Sequence, residues 1–177
     1  VHDARVKVGP PQPRTVDDID WATWRPVDPA TLLFVLEGPK ILLIRKKRGL
    51  GAGKINGPGG RIEPGETPLQ GAVREVEEEV GITPAHPQDR GVLRFQFVDG
   101  YSLQVHVFVA TAHVGVVCET AEAIPHWIDI AAIPYDEMWA DDRLWLPHVL
   151  DGRAVDGRFV FDGDLMIDHA LRVQPPR

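Results

Sequence analysis

The segment from Thr67 to Gly81 constrains this chain most, because both ends of a helix are written into it. Thr67 is a good N-cap, Pro68 suits the first helical position, and Gln70 completes a capping box with Thr67. Gly81 supplies the stop. The spacing predicts a helix over 68–80. At about 100° per residue from Glu75, the residues Leu69, Val73, Val76 and Val80 fall within roughly 100–160°, one apolar stripe. Glu75, Glu78 and Glu79 fall at about 0°, 300° and 40°, a second stripe. Glu77, at about 200°, stands apart and is expected in solvent.

Around this helix the pattern alternates between strands and irregular stretches. Residues 31–36 and 41–44 read as paired strands around a turn at 37–40, and a basic, glycine-rich loop follows over 46–54. Residues 91–99 and 103–110 flank the turn Asp99-Gly100, Trp127-Ile128 sits in a further short strand, and residues 136–149 carry a helical pattern. Residues 158–161 and 165–167 predict a closing hairpin. There is no repeating strand–helix unit and no internal repeat, which favours an α+β sandwich over a doubly wound sheet. The first stretch, 1–29, is an irregular arm: Gly9-Pro10-Pro11-Gln12-Pro13 suits neither helix nor sheet interior. Trp21 and Trp24 are expected to dock that arm on the body or on a second subunit. The body is a single domain over 30–174.

A chain of 177 residues is long enough for one self-sufficient core. Its net charge of −7 argues against duplex nucleic acid, which needs a basic face. It leaves a small phosphorylated ligand open, because local charge or a metal can reverse the field in one cleft. The single cysteine, Cys118, forms no internal disulfide and is expected to be buried near a strand end. No apolar run matches a membrane span, and no leader pattern opens the chain, so a cytoplasmic location is expected. His86, His106, His113, His126, His148 and His169 are scattered without metal-ligand spacing.

The three acids on one helical turn repel, by a few tenths of a kcal/mol per pair. Either bulk water or hard divalent cations can offset this. The glycine-rich approach and Arg74 beside Glu78 favour the second, and carboxylate oxygens suit Mg²⁺ or Mn²⁺, which also coordinate phosphates.

Gly60, Glu66 and the run Arg74-Glu75-Val76-Glu77-Glu78-Glu79-Val80-Gly81-Ile82 match the Nudix box without a departure. The chain therefore resembles the Nudix family. The resemblance implies an α/β/α sandwich with a mixed sheet, and hydrolysis of a nucleoside diphosphate linked to another group. It also implies Mg²⁺ or Mn²⁺ held by Glu75, Glu78 and Glu79, by the Gly60 carbonyl, and by Glu122 from outside the box. Chemically, a cation neutralises the charge that repels the attacking water, and a carboxylate accepts the water's proton. Glu78 and Glu79 are expected as ligands and Glu75 as ligand or base; which acid takes the proton stays open. Arg74 joins this catalytic group as the partner of Glu66 in an orienting ion pair.

Over 30–173 the chain further resembles the oxidised purine nucleoside triphosphatase branch, through residues 46–57, 105–108 and 138–142. That resemblance implies purine contacts from Asn56, Trp139, Asp141 and Asp142, aromatic walls at Phe95 and Phe97, and further contacts from Lys46 and Thr31. Taken alone, Trp139 could be helix core, the aspartates a helix cap, and Lys46 a surface charge. If both aspartates face a dry pocket, one must stay protonated. Leu50, Ile55 and Pro58 replace aromatics of the branch, so a less aromatic pocket floor is expected.

The implied function is hydrolysis of 8-oxo-dGTP, 2-hydroxy-dATP or related triphosphates to monophosphate and pyrophosphate, which sanitises the nucleotide pool. The alternatives are another Nudix substrate (an ordinary or methylated dNTP, ADP-ribose, capped RNA) or an idle nucleotide-binding domain. A monomer or homodimer fits equally.

Overall fold

The computed structural model describes residues 12–176; residues 1–11, with the start of the proline-rich stretch, and Arg177 lie outside the described residues. In chain order the strands are β1 (Asp28–Glu37), β2 (Lys40–Lys46), β3 (Ile55–Asn56) and β4 (Gly59–Arg61), followed by helix α1 (Pro68–Val80). Then come β5 (Thr83–Ala85), β6 (Gln88–Phe97), β7 (Ser102–Ala110), β8 (Ala112–Val114) and β9 (Ala123–Asp129). Helix α2 (Asp142–Leu150) precedes the hairpin β10 (Val155–Asp162) and β11 (Leu165–Val173).

Helix α1 forms where its caps are encoded. Thr67 Oγ1 accepts from Gln70 N at 3.1 Å, and Gln70 Oε1 accepts from Thr67 N at 2.9 Å. Gly81 ends it at φ +77°, a left-handed conformation that would strain any side chain. Ala72, Val76 and Val80 are fully buried against Leu33 and Val35 of β1, Leu42 and Ile44 of β2, and Phe108 of β7. Burying each valine stabilises the contact by about 1.5–3 kcal/mol. Leu69 departs from the expected stripe at 42% exposure, because the first turn of α1 overhangs the core that its later turns cover.

The main sheet runs β11-β10-β6-β7-β1-β2-β3, with β4 added to β1 and β9 to β2. It is mixed: β1 pairs parallel with β7 and β10 with β6, while the hairpins are antiparallel. Alternate residues of β1 and β2 feed two cores. Phe34, Ile41 and Leu43 join Trp145, Leu146 and Val149 of α2 on one face, while Leu33, Leu42 and Ile44 meet α1 on the other. The result is an α/β/α sandwich, as the sequence predicts.

Two local expectations fail. The helical pattern over 136–149 divides into a 3-10 turn at Tyr135–Glu137 and helix α2, with Met138 extended between them at φ −108°, ψ 177°. Cys118 is exposed, not buried. It lies on an irregular segment crossing the end of α1, held by its backbone N–H donating to Val80 O at 3.0 Å. A main-chain bond, not burial, fixes it there.

Candidate active site

The acids of α1 differ sharply in environment. Glu79 is 3% exposed, and Gly59 N–H donates to its Oε1 at 2.8 Å. Burial pushes its pKa up to about 8; the charges of Glu75 and Glu122 add to this, and the Gly59 bond and Lys46 oppose it. Glu75 is also raised, first by burial, with the Arg74 guanidinium opposing. Glu78 is exposed.

Arg74 is the hub. Its Nε and one terminal nitrogen donate to the two oxygens of Glu66 at 2.7 and 2.9 Å. The other terminal nitrogen donates to Glu75 at 3.0 Å and Glu78 at 3.1 Å, and a further bond reaches Arg61 O at 3.0 Å. Glu66 is held down to about 2, first by Arg74 and then by the backbone N–H of Glu63. The ion pair thus ties the loop after β4 to the helix and sets Glu75 and Glu78 side by side.

Strand β4 lies against these acids. A Cβ on Gly60 would stand 2.4–2.6 Å from the Glu75 carboxyl atoms, so only glycine allows this approach. Thr31, opposite Gly60 in the β1–β4 ladder, donates from Oγ1 to Gly60 O at a long 3.5 Å. Glu122, just before β9, accepts from Arg48 at 2.7 Å. Among the described residues no three acidic, thiol or imidazole groups form a finished cation cage; Arg74 and Gly59 hold the carboxylates apart. The donor set is nonetheless all oxygen, and its members raise one another's pKa, which is the electrostatic condition a hard divalent cation relieves. Glu75, Glu78, Glu79, Glu122 and the Gly60 carbonyl are the groups that fit one.

A cavity of about 310 Å³ opens beside this cluster. Gly59, Gly60 and Lys46 line the end next to the acids, and Trp139, Asp141 and Asp142 line the other. Thr31, Asn56, Phe95 and Phe97 line its walls, so every residue expected to contact the purine faces one space. The helix acids do not line it; they meet it through the glycine strand. Lys46 Nζ donates to Leu50 O at 2.9 Å across its mouth.

The aspartates are buried. Asp141 Oδ2 accepts from Trp145 Nε1 at 2.8 Å, while its Oδ1 has no partner. Burial lifts Asp141 to about 6, and raises Asp142 well above its ordinary value, with the Asp141 charge adding. Asp141 occupies the N-cap position of α2 but makes no side-chain cap bond. Both carboxyls face the cavity, and burial favours the protonated form of each.

The expected floor needs correcting. Of the three positions where the branch has aromatics, only Leu50 lines the cavity; Ile55 is packed into the core, and Pro58 is buried off the cavity. Leu32, Leu103 and Val105 also line the cavity, together with the aromatic rings of Tyr101, Trp145 and Phe161. Three groups escape a reading of the sequence. Gly59 donates through its backbone. Trp145 is legible only as an i+4 neighbour of Asp141. Lys54 has Nζ 5.1 Å over the Trp139 ring and 3.2 Å from Asp164 on the β10–β11 turn.

Known proteins place this arrangement. The NUDIX domain model matches residues 26–149. The oxidized purine nucleoside triphosphate hydrolase of Danio rerio is 43% identical over 143 residues, which is 80% of this chain and 92% of that protein. Its Mus musculus namesake is 39% identical, over the same shares of each. The crystal structure of a MutT protein from Bacillus halodurans superposes with a TM-score of 0.74 at 28% identity, covering 82% of this chain and 97% of that one. The chain belongs to the Nudix family of hydrolases.

Proposed function

We propose that this enzyme hydrolyses oxidised purine nucleoside triphosphates such as 8-oxo-dGTP or 2-hydroxy-dATP, releasing monophosphate and pyrophosphate. The observation that carries the reading is the cavity joining a glycine strand, beside acids suited to a cation, to a buried aspartate pair beside Trp139. One aspartate accepts and its protonated partner donates, which suits a purine edge bearing both kinds of group. Trp139 offers a face for stacking, and Asn56 a further amide. Moving the proton between Asp141 and Asp142 changes the donor pattern and lets one pocket take more than one oxidised purine.

The triphosphate extends from the base toward Gly59 and Gly60, with Lys46 supplying positive charge in an otherwise acidic chain. Glu75, Glu78, Glu79, Glu122 and the Gly60 carbonyl would hold Mg²⁺ or Mn²⁺, which would supply positive charge against the phosphates. Arg74 orients Glu75 and Glu78, and an acid of the cluster accepts the proton of the attacking water. The activity would clear damaged nucleotides from the cytoplasmic pool before they enter DNA.

The test is pyrophosphate release from 8-oxo-dGTP, 2-hydroxy-dATP and dGTP, with and without Mg²⁺. Cation-dependent turnover far faster on the oxidised bases supports the proposal. Equal rates assign an unmodified substrate, and binding without turnover makes the domain a sensor; either result overturns it.

A further inference from the structure

The N-terminal arm precedes nearly all of the family match, which begins at residue 26. Its described part crosses the sheet on a defined line. Asp168 of β11 pairs with Val160 of β10, Val160 with Gln96 of β6, and Gln96 with Ser102 of β7. Directly paired residues share a face, so these four side chains form one transverse row. The arm bonds to three of them in order. Val16 N donates to Asp168 Oδ2 at 2.7 Å, Trp24 Nε1 to Gln96 Oε1 at 2.9 Å, and Val27 N to Ser102 Oγ at 2.9 Å. The Arg158 guanidinium lies 5.3 Å over the Trp21 ring, and Trp21 and Trp24 pack with centroids 5.3 Å apart.

The neighbours of Gln96 along β6, Phe95 and Phe97, point to the opposite face and line the cavity. Gln96 links the two sides. Its Nε2 donates to Phe97 O at 3.0 Å and to Tyr101 O at 3.1 Å, closing the corner between β6 and β7. Phe97 and Tyr101 both line the cavity. The amide is therefore bonded at its oxygen and at both hydrogens, and Trp24 supplies the oxygen's partner.

We infer that Trp24 is a positioning residue for the purine cavity: seated on Gln96, it fixes the Phe97–Tyr101 corner and tightens purine binding without touching the ligand. This rests on the purine reading of that cavity. With the indole donor removed, Oε1 faces a half-buried space unpartnered, and the amide exchanges its hold on the two carbonyls for bonds to water.

The experiment titrates 8-oxo-dGMP in the presence of a chelator, which reads the base pocket without the cation site or turnover. Trp24→Phe keeps an aromatic ring against Trp21 and removes the donor together with part of the indole's area. Its Kd for 8-oxo-dGMP should rise about fivefold, the equivalent of one neutral hydrogen bond. KM for 8-oxo-dGTP should rise in parallel while kcat holds. Gln96→Leu should weaken binding at least as much, and the double variant no more than Gln96→Leu alone. Should Trp24→Phe not fold, Gln96→Leu carries the same measurement from the sheet side. A lowered Tm with unchanged Kd and KM makes the contact purely structural and overturns the inference, as does full additivity in the double variant. Wild-type protein that binds no 8-oxo-dGMP fails differently: it removes the purine reading itself, and this inference with it.

Discussion

Asp141→Asn tests the buried acid pair most directly. Asp141 is held by one bond from Trp145, with its second oxygen unpartnered, and burial carries its pKa from 3.8 to about 6. Asp142 is also raised well above its ordinary value, first by burial and then by its neighbour's charge. A carboxyl whose folded pKa exceeds its unfolded value binds the proton more tightly when folded. Its stabilising effect is therefore complete below the unfolded pKa and is lost as pH rises through the folded value. For Asp141 the loss amounts to about 3 kcal/mol, spread over about pH 4 to pH 7. Asparagine keeps the acceptor for Trp145 and cannot ionise. The variant's stability relative to wild type should thus climb by about 3 kcal/mol across that window, roughly 6–12 °C in Tm for a chain of this size. Urea and thermal unfolding in half-unit pH steps measure it. A difference that stays flat with pH, or that turns toward wild type as pH rises, refutes the buried-proton account. The pH dependence of KM near 6 should vanish in the same variant.

Three further substitutions address the two ends of the site. Glu79→Gln keeps an acceptor for Gly59 N–H but removes the ionisable oxygen that would hold a cation, and kcat should fall about 100-fold or more; near-normal pyrophosphate release would rule out a role for this acid. Gly60→Ala drives a Cβ into the Glu75 carboxyl, so turnover should drop sharply with little change in Tm, and an unimpaired rate would mean that Glu75 can move freely. Lys54→Met removes the cation above Trp139 that holds the Asp142 pKa down. KM for the oxidised purine should rise about two- to fivefold, and the ionisation of the aspartate pair should move to higher pH, both read from a pH series of initial rates.

Helix α1 was legible because everything that defines it is local: a cap at Thr67, its box partner at Gln70, a stop at Gly81 and a period of 3.6 between them. The strands over 31–36 and 41–44 were legible for the same reason, as short apolar runs on either side of a turn, whereas the two cores they serve came only with the family resemblance. What escaped depends on where separate segments meet. Leu69 obeys the helical period, yet the core ends before its turn. Ile55 and Asn56 are adjacent in sequence, and the two-residue strand β3 sends one into the core and the other to the cavity. The break at Met138 that presents Trp139 and the aspartates leaves no mark in a helical pattern. The partners Lys54 and Asp164, or Trp24 and Gln96, lie so far apart in the chain that no spacing rule connects them.

The two ends of the site also show how one acidic chain can receive a polyanion. Each end gathers carboxylates close enough to repel, and each resolves the repulsion differently. On α1 a single guanidinium bonds Glu66, Glu75 and Glu78 and holds them spaced, where a cation could reverse the local field. At Asp141 and Asp142, among the described residues, no arginine is bonded to either acid, and burial raises both pKa values instead. The charge that would oppose a phosphate is thus compensated at one end and suppressed at the other. Lys46 stands between them and lowers the Glu79 pKa by its charge. On the proposed reading, a nucleotide along the cavity would meet buried, proton-favouring acids at its base and a cation-seeking surface at its phosphates, although the protein as a whole is strongly negative.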